Sequence, residues 1–113
     1  MSTIKNSVRL IGNLGAVPTI VNTEKGIKIA RVSIATSDYY YNDKKEKVTE
    51  TYWHNLVFFG KTAENAEKLL KKGSEIAIEG KLVSRSYEKD GVKKYVTEIV
   101  VNEFNLFSSK ESA

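Results

Sequence analysis

A small all-β barrel, five antiparallel strands with one helix between the third and fourth, is predicted by three features of this 113-residue chain. Apolar and polar side chains alternate over 27–37 and 75–87, the period-two pattern of strands that bury one face. Only 63–72 keeps helical spacing instead. Asp90-Gly91, between two strand-like runs, is the signature of a two-residue hairpin turn.

The elements follow in order. Ser7–Ile11 and Ile20–Val21 read as strand pieces around "GNLGAVP", where Gly12, Gly15 and Pro18 mark a bend or bulge. Glu24-Lys25-Gly26 turns the chain into "IKIARVSIATS", with Ala30, Val32 and Ile34 on one face and Arg31 and Ser33 on the other. The polar stretch 38–49, with three consecutive tyrosines and lysines at 44, 45 and 47, reads as a connection forming a projecting hairpin.

"TYWHNLVFFG", 51–60, is a strand with bulky side chains on both faces: Tyr52, His54, Leu56 and Phe58 on one, Trp53, Asn55, Val57 and Phe59 on the other. In the helix, Thr62 caps, Glu64 favours the positive end, Lys71 and Lys72 the negative end, and Gly73 stops it. Ala63, Ala66, Leu69 and Leu70 form its buried stripe. This is the order of the OB-fold, a partly open Greek-key barrel with a helix plugging one end. One domain spans 1–107, followed by a short polar tail, 108–113.

Composition narrows the chemistry. With no cysteine and one histidine, thiolate nucleophiles, cysteine-based zinc sites and histidine pairs are excluded, so no metal or cofactor is expected. The N-terminus lacks the apolar run of a signal peptide, and no stretch is long enough to span a bilayer, which predicts a cytoplasmic protein without a membrane partner. Eighteen basic against fourteen acidic residues give a net charge of +4, with +3 of it in residues 1–60. Such a balance is compatible with nucleic acid and shared by many domains that bind none.

A barrel uses one parity of each strand as core, so Leu56 and Phe58 suffice and Trp53 and Phe59 are left outside. Exposed rings beside cations suit unpaired nucleobases, which stack on aromatics while Lys and Arg hold phosphates. Aromatics stand beside cations again at Tyr39–Tyr41 and at Tyr87, and Arg31 lies on the polar parity of its strand.

The pieces "GNLG" (12–15), "ATSDYY" (35–40), "WHNLVFFGK" (53–61), "KKGSEIAIEGKL" (71–82) and "YVTEIVVN" (95–102), in this order and spacing, resemble the bacterial single-stranded DNA-binding protein family from about Lys5 to Phe107. The resemblance implies a non-enzymatic homotetramer that coats single-stranded DNA with little sequence preference in replication, recombination and repair, near the nucleoid. Its stacking aromatics fall on Tyr40, Trp53, Phe59 and Tyr87, the first and last in place of common tryptophans. Its phosphate-contacting cations fall on Lys61, Lys72 and Arg85, whereas Asn55 and Val83 stand where arginine is frequent. His54 matches a position at the subunit interface. Family members also continue into an acidic tail that recruits replication and repair enzymes; these 113 residues contain no such segment, so that recruitment is not expected of them.

Other readings fit less well. "GKT" at 60–62 lacks the glycine five residues earlier that a phosphate loop needs. Glu79-Gly80-Lys81 resembles half of a metal-dependent nuclease site and needs a second strand carboxylate. An assembly module, with Trp53 and Phe59 buried against a partner, is the non-enzymatic alternative.

Overall fold

The computed structural model describes residues 5–107, so the polar tail expected at 108–113 lies outside the described residues. The chain runs through β1 (Val8–Leu14), β2 (Thr19–Asn22), β3 (Lys28–Tyr41), β4 (Lys47–Phe59), α1 (Gly60–Leu69), β5 (Glu75–Lys89) and β6 (Val92–Leu106). Strand order is β1-β5-β6-β4-β3-β2, and β1 also pairs with β3, which closes five strands into a barrel. Closure rests on Asn13 opposite Ala35 and Leu14 opposite Ile34. The two expected pieces of the first strand are thus separate elements: β1 pairs mainly with β5, and β2 extends the edge of β3.

The interior follows the predicted parity. Ala30 and Ile34 of β3, Leu56 and Phe58 of β4, and Ile76 of β5 are at most 1% exposed. Fully burying one large apolar side chain contributes about 1.5–3 kcal/mol, which is why these positions dominate the fold. Phe58 meets Phe104 edge-to-face at 5.5 Å. On β6 the inward positions then switch parity, because Glu79 pairs with Glu103 and Gly80 with Val101, leaving Asn102 as the extra residue of a bulge. Gly80 is required there, since a Cβ on it would stand 2.2 Å from the Val100 carbonyl oxygen.

The helix differs from its predicted bounds. It begins at Gly60, directly after β4, and ends at Leu69. Gly60 turns at φ +60°, a conformation open to glycine, so strand passes into helix without a linker. Phe59 occupies the N-cap position with no side-chain cap, so Thr62 lies inside the helix and does not cap it. Glu64 falls outside the first turn, and Lys68 rather than Lys71 or Lys72 occupies the last. Ala63, Ala66 and Leu70 plug the barrel end, while Leu69 faces outward, half exposed. Lys28 of β3 pairs with Glu67 and ties the helix to the wall.

Residues 38–41 and 47–49, read as connection, are strand. The β3–β4 pairing runs unbroken from Ile29–Phe59 to Tyr41–Lys47. Asn42 builds the turn between them, its Oδ1 accepting from the backbone N–H groups of Lys44 and Glu46. The β5–β6 hairpin is equally long and turns at Asp90-Gly91 as predicted, both with positive φ. Only Leu56–Ile99 and Val57–Val100 pair β4 with β6. Beyond them the two hairpins continue as separate arms.

Candidate nucleic-acid interface

The unbroken β3–β4 register fixes which side chains share the outer wall. Cross-strand pairs on that face are Ile29–Phe59, Arg31–Val57, Ser33–Asn55 and Ala35–Trp53, then Tyr39–Thr49 and Tyr41–Lys47 along the arm. Trp53 is 60% and Phe59 43% exposed. Both rings therefore face solvent, as the parity predicts. Val57, on the same face, is buried in the middle of the sheet, where Arg31 flanks it on one side and Val100 on the other.

Among the tyrosines, the wall belongs to Tyr39 and Tyr41. They meet edge-to-face at 6.0 Å, and the Lys47 ammonium lies 4.5 Å from the Tyr39 ring centre. Tyr40 pairs with Val48 on the opposite face of the arm, the face of Asp38 and Tyr52. Exposed though it is, it does not share a surface with Trp53. The sequence shows Tyr39–Tyr41 beside lysines and the resemblance picks out Tyr40, but the β3–β4 register is what puts Tyr39, Tyr41 and Lys47 on the Trp53 face.

The second arm continues the same wall through Val57–Val100. Its outward pairs are Lys81–Val100, Val83–Glu98, Arg85–Val96 and Tyr87–Lys94. Tyr87 is 44% exposed and shares the Trp53 face.

A cleft of about 420 Å³ opens between Trp53 and the segment Gly15–Thr19, with Arg31, Ser33, Asn55 and Glu98 at its floor. Glu98 is the one charged residue buried among those described. Arg85 embraces it from β5, with Nε donating to Oε1 at 3.0 Å and Nη2 to Oε2 at 3.4 Å. Arg31 approaches from β3, its Nε 3.6 Å from Oε2. The hydrogen bond and charge of Glu98 make Arg85 hold its proton even more tightly than usual.

Lys61, in the first turn of α1, and Lys72, three residues past its end, are exposed and lie outside the cleft. A ten-residue helix is about 15 Å long, so they form separate points of positive charge. His54 sits half-buried on the inner parity, its Nε2 3.2 Å from the Thr36 hydroxyl. Across from Glu79 stands Glu103, the strand carboxylate that a nuclease site would need, but Arg9 pairs with Glu79 at 3.8 Å. Among the described residues no group of three His, Asp or Glu side chains could hold a metal ion. No helix there is long and apolar enough to cross a membrane.

Comparison with known proteins bears on the family and the fold. The model of the single-strand binding protein family matches residues 5–107. A Xylella fastidiosa protein named single-stranded DNA-binding protein 1 is 44% identical over 108 residues, covering 94% of this chain and 79% of that one. Its Xanthomonas campestris counterpart, named single-stranded DNA-binding protein, is 42% identical over 106 residues; the chain spans 62% of its length. Among solved structures, a Plasmodium falciparum SSB in complex with ssDNA superposes with a TM-score of 0.80 at 29% identity, covering 95% of both chains. A deletion mutant of the Thermus aquaticus single-stranded DNA binding protein gives 0.81 at 30% identity over 93% of this chain and 51% of that one. With strand order and superpositions together, the architecture is the predicted OB-fold.

Proposed function

Since this chain belongs to the single-strand binding protein family, we propose that its outer wall binds and protects single-stranded DNA, largely without sequence preference, during replication, recombination and repair. The observation that carries this reading is the exposure of Trp53 and Phe59 on one wall with Arg31, Arg85 and Tyr87. Rings accept any base, at about 1–3 kcal/mol per stacked base, and cations accept any phosphate. Stacking on a ring and charge on a phosphate are both indifferent to which base is present, which is the physical root of binding without preference.

In this reading Trp53, Phe59 and Tyr87 form the stacking track, with Tyr40 reached where the strand crosses the edge of its arm. Lys61, Lys72, Arg31 and Arg85 supply phosphate contacts. The protein is a binder and not an enzyme, works as a homotetramer, and resides where chromosomal DNA does, in the bacterial cytoplasm. Self-association is supported by β1: among the described residues only its β5 side is paired over Val8–Gly12, and Ile11 is 59% exposed beside it. His54 belongs to the subunit interface.

Trp53 is the only tryptophan, so its fluorescence is the direct test. Titration with oligo-dT quenches it, and the affinity falls with salt. An unchanged emission at low salt, from folded protein, rejects stacking on Trp53.

A further inference from the structure

The three charged side chains at the cleft floor have a stoichiometry that matters. Arg31 and Arg85 come from strands on either side of β6 and β4 and converge on a single carboxylate, Glu98, whose side chain is 11% exposed while each arginine's is nearly half exposed. A carboxylate removed from water to that degree has to be paired. Two guanidinium groups on one carboxylate leave a net charge of +1, not +2.

The two arginines are held unequally. Arg85 spends its Nε–Nη2 edge on both oxygens of Glu98, a side-on fork in which Nη1 takes no part. Arg31, whose strand neighbour is Val57, has to cross β4 to reach Glu98, and at 3.6 Å its Nε is close enough for attraction but too far for a hydrogen bond. The fork keeps Glu98 satisfied when Arg31 turns away.

From this we infer that Glu98 is a positioning residue that meters the charge of the nucleic-acid wall: Arg85 stays forked to Glu98 and meets the strand with its charge already offset, Arg31 is released to a phosphate, and the triad neutralises one phosphate where two unpaired arginines would neutralise two. The inference rests on the reading of the wall as a single-stranded DNA surface. It assigns Glu98 a part in setting how steeply binding responds to salt, so that the protein grips DNA without becoming a strong polyanion trap.

The slope of log affinity for oligo-dT against log salt tests it, since each phosphate neutralised on a single strand contributes about −0.7. Glu98→Gln keeps the shape and an acceptor oxygen and removes the charge. It should bind more tightly at low salt and steepen the slope by about 0.7. Arg31→Gln should make the slope shallower by about the same step, and the double variant should return to the wild-type slope. A merely structural Glu98 would change melting temperature while Glu98→Gln kept the wild-type slope and the double variant kept that of Arg31→Gln, which overturns the inference. Should Glu98→Gln not fold, Glu98→Thr, which also removes the charge and suits a strand, takes its place with the same expected slopes and the same overturning ones. Wild-type protein that fails to bind oligo-dT defeats the DNA-binding reading itself, whereas normal binding with unshifted slopes defeats only the metering.

Discussion

The Trp53 indole lies directly over Gly15: a Cβ built on Gly15 would stand 2.6 Å from Cζ3 of the ring. Gly15 is itself fixed, its N–H donating to the Ser33 carbonyl at 3.0 Å. The glycine is thus a seat for the ring, and the missing side chain is what lets the ring lie there.

Gly15→Ala should therefore displace the indole without unfolding the barrel. The expected outcome is a shifted Trp53 emission and weaker oligo-dT binding, by less than the 1–3 kcal/mol or so that a stacked base is worth, with an unchanged far-ultraviolet circular dichroism spectrum. Unaltered emission would mean the ring does not rest on this backbone.

Removing the rings is the blunter experiment. Trp53→Ala and Phe59→Ala should each cost about 1–3 kcal/mol of single-strand affinity, measured by fluorescence anisotropy of a labelled oligonucleotide. Both side chains are substantially exposed, so thermal stability should barely change. Two variants that bind normally would clear these rings of any stacking role.

Phe58, one residue away and pointing inward, should behave in the opposite way. It is fully buried and packs on Phe104, so Phe58→Ala should cost about 3–5 kcal/mol of folding free energy in urea denaturation. A cost below 1 kcal/mol or so would contradict the packing.

Ile11→Lys places a charge on the open side of β1, opposite no core residue. The wild-type mass by sedimentation should be that of a tetramer, and the variant's should fall while its fold persists. A monomeric wild type would remove the assembly from the proposed function.

Much of the architecture was legible because it is written locally. The β3, β4 and β5 alternation, the Asp90-Gly91 turn and the outward parity of Trp53 and Phe59 each depend on a few adjacent residues. What escaped depends on partners far away in sequence. The arms past Ser37 and before Thr51 have no core to face, so their strands carry no apolar rhythm and resemble connection. The helix start was misplaced because Thr62 is a good cap residue, whereas Gly60 turns the backbone in one step and makes a cap position of Phe59. The burial of Glu98 is invisible in "YVTEIVV", where it occupies an outward position; it is buried by arginines from two other strands.

Only two residue pairs join β4 to β6, and past them the arms carrying Tyr39 and Tyr87 go their own ways. The distance between those outlying rings is therefore set by the twist of each hairpin and not by hydrogen bonds between the arms. A side chain that alters the twist of one hairpin alters the span of the whole surface while leaving the barrel as it was.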